Sequence, residues 1–210
     1  MATATDRRAR ADAVRNADRI VRAARDVYAE HGADAQLNPI AELAGVGERT
    51  LYRHFPTKAE LLRAAIDQSI SDNLAPAIEN CVHDADPLRG LAQLIDAAIS
   101  LGAQEHSILE AARKAGALTD DVSGPLYAAL HTLTARAQDA GLLRADLVAD
   151  DLPRIIAMLH SVLWTMDPTT GGWRRYLDLI LDALSTGVEK RTLRRAPALR
   201  TMAESNDWPI

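Results

Sequence analysis

Between positions 48 and 54 the chain places six hydrogen-bonding side chains in seven residues: Glu48, Arg49, Thr50, Tyr52, Arg53 and His54, interrupted only by Leu51. Gly47 precedes them, and Lys58 follows after Phe55-Pro56. This is the chemistry of recognition. An arginine can pair with guanine O6 and N7, a glutamate accepts from cytosine N4, and a threonine meets a thymine methyl or a phosphate. Glycine at 47 lets a backbone come close to a phosphate. Lys58 falls in the first turn of a predicted helix, where a cation opposes the helix dipole and calls for an external anion such as a DNA phosphate. Catalytic patterns are missing: there is no G-x-S-x-G, P-loop or G-x-G-x-x-G, and no local Cys-His arrangement. His83, His106, His131 and His160 lack the spacing of metal ligands, so neither a metal nor a cofactor is expected.

The elements that would carry this run follow from the helix breakers. A first helix is predicted from about Asp12 to His31, with Ile20, Ala24 and Val27 on one stripe beside Ala23 and Tyr28, ended by Gly32. A second spans roughly Asn38 to Ala44, with Asn38 as its cap and Pro39 in its first turn. Gly45 permits a sharp turn into a third from Gly47 to His54, which Phe55-Pro56 ends. Thr57 and Glu60 form a T-x-x-E capping box for a fourth. Ile40, Leu43, Ala44, Val46, Leu51 and Phe55 are expected to close a core with the first helix. The polar side of the third helix is then left outward, as reading a major groove requires.

Further helices are predicted at about 86–101, 104–114, 123–139, 150–166 and 173–185, nine in all. The chain is therefore expected to be all-α: a three-helix head with a helix-turn-helix, then a larger helical body. Two broad apolar stripes, Ile155, Leu159, Val162 and Leu163 with Ile156 and Met166, and Trp173, Leu177, Ile180, Leu181 and Leu184, fit a four-helix dimer interface or plain core. Leu91, Ile95, His106, Leu109, Tyr127, Leu130, His131 and Trp164 are the candidate lining of an effector pocket, mainly apolar with a few polar handles, and could equally fill the core.

Composition bounds these readings. The 210 residues carry 24 Lys+Arg against 29 Asp+Glu, a net charge of −5, yet residues 1–25 hold seven arginines and three aspartates. A locally basic end on an acidic body suits a surface presented to phosphates, and a solvated arginine-rich helix start fits as well. The longest stretch free of formal charge, Val122 to Ala135, is 14 residues, whereas a membrane-spanning helix needs about 20. No membrane partner is expected. With one cysteine and no apolar leader, a cytoplasmic location is expected.

The run from Ile40 to Leu62, IAELAGVGERTLYRHFPTKAELL, resembles the DNA-binding signature of the tetracycline-repressor (TetR/AcrR) family, with its I-A-x-x-A-G-V and T-L-Y-x-H-F-x-x-K-x-x-L elements. The resemblance covers roughly residues 13–62, and the segment from Ala140 to Leu152 is similar to the link ahead of the family's eighth helix. It implies a body that dimerises through its last two long helices and holds a ligand pocket. It also implies that Tyr52, His54 and Lys58 anchor phosphates while residues 47–50 approach bases. Gln36 stands where the family has a capping Ser or Thr, and Glu48-Arg49 replaces a basic residue and glycine. Glu48 reads cytosine, discourages wrong sites or pairs with Arg49 or Arg53, and the pair is the expected role.

The expected organisation is a DNA-binding domain with a basic arm at 1–62, an effector-binding and dimerisation domain at 63–190, and a partly disordered tail at 191–210. The expected function is a homodimeric regulator of transcription, a repressor, that binds a palindromic operator in double-stranded DNA and is released by a small-molecule effector. The alternative is an all-helical small-molecule-binding protein or enzyme whose head is only structural. Steep salt dependence of DNA binding separates the two.

Overall fold

A computed structural model describes residues 4–117, 120–167, 170–187 and 193–198; the side chains of 4–10, 120–123 and 164 lie outside that description. Ten α-helices follow in order: α1 (Ala4–His31), α2 (Leu37–Leu43), α3 (Glu48–His54), α4 (Lys58–Ser69), α5 (Ala75–Val82), α6 (Pro87–Gln104), α7 (His106–Lys114), α8 (Asp120–Asp139), α9 (Asp151–Val162) and α10 (Arg174–Leu184). A π-helical turn, Ile70–Leu74, joins α4 to α5 without a break, so the described residues form nine separate rods, as expected. A single antiparallel bridge, Leu143 to Ser185, is their one β-type pairing. The expected tail falls outside the described residues except for 193–198.

Two compact units divide the chain: residues 1–70 with 105–120, and residues 71–104 with 121–210. The first unit thus takes α7 from far along the sequence, while the boundary expected at 62 falls inside α4.

In the first unit, α1 packs against α2, α4 and α7. It begins at Ala4, earlier than the Asp12 expected, because helix-favouring Ala and Arg continue upstream and Arg15 pairs with Asp12 one turn back. The arm is therefore a helical extension over its described backbone, and burial begins only at Ile20. Ile20, Ala24, Val27, Tyr28, Ile40, Leu51, Leu61 and Leu62 form the core. Leu43, expected there, is 58 % exposed, because α2 turns Ile40, Ala41 and Ala44 inward instead. Gln36, not Asn38, occupies the N-cap of α2 and makes no side-chain capping bond; Asn38 lies inside the helix.

One carboxylate ties three helices of this unit. Glu105, at the N-cap of α7, accepts from Arg25 Nε of α1 at 3.0 Å and from its Nη2 at 2.5 Å. It also accepts from the Ser69 hydroxyl at the end of α4. Glu105 is 9 % exposed and Ser69 1 %. Burying a carboxylate is costly unless it is paired, and here a guanidinium and a hydroxyl converge on Glu105 Oε1.

In the second unit, α6 packs against α5, α9 and α10. The α5–α6 turn is held by Arg89, which donates to both Asp84 oxygens at 2.9 and 2.6 Å, and by Arg136 of α8, which donates to the Val82 and Asp84 carbonyls. The Arg89 guanidinium brings the Asp84 carboxyl down to about 2. Asp96 of α6 accepts from Trp173 Nε1 at 3.3 Å and pairs with Arg174 at 2.7 Å.

Candidate nucleic-acid interface

Gly45, at φ +63, makes the tight reversal between α2 and α3; an L side chain would be strained there. Gly47 then caps α3 in an extended conformation, and its carbonyl receives the Thr50 and Leu51 amides at 2.8 and 3.1 Å. Leu51, 1 % exposed, fixes the inward side of the helix. At about 100° per residue, the opposite side must carry Arg49, Tyr52 and Arg53, with Glu48 at one flank and Thr50 and His54 at the other. Gly47, Glu48, Arg49, Tyr52 and Arg53 are indeed exposed, and Thr50 and His54 are half-buried.

Among the described residues the side chains of Glu48, Arg49 and Arg53 make no hydrogen bond or ion pair with the chain. The expected pairing of Glu48 with an arginine is absent, because neighbours one and five apart on a helix point in different directions. The row instead presents one carboxylate and two guanidinium groups to whatever lies outside. His54 differs. Its Nε2 is buried without a hydrogen-bond partner, its ring tilted against Phe55 at 6.5 Å, so a phosphate contact through that nitrogen needs the ring to turn outward.

Helix α4 begins with the Thr57 hydroxyl accepting the Glu60 amide at 3.2 Å, one half of the expected capping box. Its first residue, Lys58, is half-buried. Lys58 Nζ donates to the Ala35 carbonyl at 3.3 Å and lies 5.5 Å from the centre of the Tyr28 ring. Tyr28 is 0 % exposed, and its hydroxyl is buried without a hydrogen-bond partner. Burial, with a contribution from Asp34, pushes that hydroxyl up to about 12, so it stays neutral. Sequence reasoning assigned Tyr28 to the core only; with Lys58 thirty positions away, no local pattern could have linked them.

The other candidate residues divide between the units. Of the pocket candidates, Leu91, Ile95 and Leu130 are fully buried in the second unit, whereas Tyr127 is 41 % exposed and His131 is exposed, its Nε2 3.1 Å from Asp150. His106 and Leu109 belong to α7 in the first unit and are half-buried. Desolvation lowers the pKa of His106 and favours the neutral ring. The Trp164 side chain is outside the described residues.

Of the interface candidates, Ile155, Leu159, Leu163, Trp173, Leu177, Leu181 and Leu184 are already buried within one chain, while Val162 and Ile180 are half-buried. Those stripes face their own unit, through the packing of α9 and α10 against α6. What α9 leaves exposed is Arg154, Ala157, Met158 and Ser161, and α10 leaves Leu179 and Ala183. Among the described residues, no group of three or more His, Cys, Asp or Glu could hold a metal ion, and no helix is long and apolar enough to cross a membrane.

Two short helices joined by a glycine turn, the first of them packed against α1, define a helix-turn-helix protein. A family model described as bacterial regulatory proteins, tetR family, matches residues 20–65. Over 92 residues the chain is 37 % identical to the HTH-type transcriptional regulator TtgR of Pseudomonas putida, covering 42 % of this chain and 43 % of TtgR. The match therefore spans less than half the length of that relative. The crystal structure of TetR transcriptional regulator SCO0520 from Streptomyces coelicolor is 31 % identical, with 81 % of this chain and 99 % of that one covered and a TM-score of 0.57. For the TetR transcription regulatory protein from Mycobacterium vanbaalenii the values are 26 %, 84 %, 99 % and 0.59. The chain belongs to the TetR family of bacterial regulatory proteins.

Proposed function

We propose that this chain is a sequence-specific regulator of transcription, a repressor, which acts in the cytoplasm as a homodimer on a palindromic operator. The observation that carries the reading is the outward row on α3, where Glu48, Arg49, Tyr52 and Arg53 are exposed around the buried anchor Leu51. A major groove about 12 Å wide admits one such helix. Arg49, at the centre of the row, takes a guanine. Thr50 and Arg53 contact the adjoining base or phosphate, while Tyr52, His54 and Lys58 grip the backbone. Glu48 accepts from a cytosine amine and repels a misplaced phosphate.

The second unit is the place for a small-molecule effector, with an apolar lining that includes Leu91, Ile95 and Leu130. Such a molecule releases the operator only if it prefers a head spacing that mismatches adjacent grooves. The dimer forms through the faces of α9 and α10 left open by the chain's own core, around Met158 and Leu179, rather than through the buried stripes.

Duplexes enriched from a random pool by the full chain test the reading. A palindrome with half-sites about 34–36 Å apart is expected. Its affinity should fall by orders of magnitude between 50 and 200 mM salt, as counterions displaced by several phosphate contacts require. Arg49→Ala should cost about 1–3 kcal/mol and relax preference at one base position. Sequence-blind or salt-insensitive binding would refute the assignment.

A further inference from the structure

Lys58 is the member of the candidate interface whose charged group the chain already holds. Its ammonium has three donors on one nitrogen. The Ala35 carbonyl takes one at 3.3 Å, and the Tyr28 ring face lies 5.5 Å away, inside the range of a cation–π contact. Neither partner is an anion, so the positive charge is oriented but not neutralised. The start of α4, with its own partial positive charge, adds no compensation.

Tyr28 is unusual for a buried tyrosine. Such residues ordinarily find a partner for the hydroxyl, yet this one has none. The ring face, rather than the hydroxyl, is the part that meets another functional group.

We infer that Tyr28 is a positioning residue for DNA binding: together with the Ala35 carbonyl it sets the Lys58 ammonium in place, so that the remaining donor meets a backbone phosphate. A free lysine would give up its rotamer freedom when it binds, whereas Lys58 gives it up when the head folds. The inference rests on the reading of α3 and the start of α4 as a DNA interface. It adds a residue that does not itself touch the duplex.

The test uses the full chain and a duplex enriched from a random pool by the wild type. Affinity is measured across salt for Lys58→Met, Tyr28→Leu, Tyr28→Phe and the double variant Tyr28→Leu/Lys58→Met. Lys58→Met should weaken binding and reduce the salt slope by about one. Tyr28→Leu should weaken binding several-fold when Lys58 is present and have no effect in the Lys58→Met background. Tyr28→Phe, which keeps the face, should bind within about twofold of wild type.

Equal losses from Tyr28→Leu in both backgrounds would make Tyr28 a packing residue and overturn the inference while leaving the interface standing. A Lys58→Met variant with unchanged affinity and slope would remove the phosphate contact itself. Failure of the wild type to enrich any duplex would overturn both readings. Should Tyr28→Leu not fold, phenylalanines bearing one to three ring fluorines at position 28 keep the shape while weakening the face. Affinity should then fall stepwise with fluorination, and a flat series overturns the inference.

Discussion

At Gly47 the chain makes no internal demand for glycine. Its backbone is extended, and a Cβ built there meets nothing within 4 Å. Any need for a bare backbone must come from outside, from a phosphate drawn close to the start of α3. Gly47→Ala is therefore expected to leave the melting temperature within a few degrees of wild type. Binding to the selected duplex should weaken about tenfold, the worth of one hydrogen bond to a charged group. An unaltered affinity would put the phosphate elsewhere. The polar row itself was legible in the amino-acid order, because a short helix bounded by glycine and Phe55-Pro56 with one deep apolar residue, Leu51, can face only one way. The Tyr28–Lys58 contact was not legible, since periodicity tells which side of α1 is buried but never which charge crosses above it. Leu43 misled for a related reason: in a seven-residue helix the inward direction is set by the neighbours, and Ala41 took the place expected of it.

At the level of elements, the sequence marked where helices stop better than where they change character. Between Lys58 and Val82 the one proline or glycine is Pro76, in the first turn of α5, where a proline suits the start of a helix; the π-helical turn before it carries no mark of its own. The apolar stripes of α9 and α10 were expected to form a dimer interface or plain core; a stripe does not name its neighbour, and within one chain most of these residues are buried, with α6 packed against both helices. Nor did any local signal assign α7 to the first unit; that assignment accompanies the Glu105 clamp. Replacing its acceptor by Glu105→Ala should destabilise the first unit by about 2–4 kcal/mol, on the low side for an ion pair because Arg25 keeps a quarter of its side chain in water. Trp173 is buried in the second unit, and no tryptophan occurs in residues 1–70 or 105–120. Tryptophan fluorescence should therefore keep its wild-type midpoint while far-ultraviolet circular dichroism gains an earlier step. Coincident shifts in both signals would show that Glu105 stabilises the whole chain and not one unit.

For the molecule as a whole, association is the property that a single chain constrains through the surface it leaves uncovered. Leu179 is 42 % exposed and Met158 57 %. A charge at either place costs the single chain little but cannot be buried against a copy without a partner. Sedimentation should show Leu179→Glu and Met158→Glu shifted towards monomer by tenfold or more in the dissociation constant, with helix content unchanged; dimers that survive both changes must use another surface. The discontinuity of the first unit has an effect on synthesis as well. When residue 70 leaves the ribosome, α1 to α4 exist but the helix that completes their packing does not, for Glu105 and α7 lie a further stretch down the message. At about 5–20 residues per second, the nascent chain spends several seconds with an unfinished DNA reader, and only then can it close.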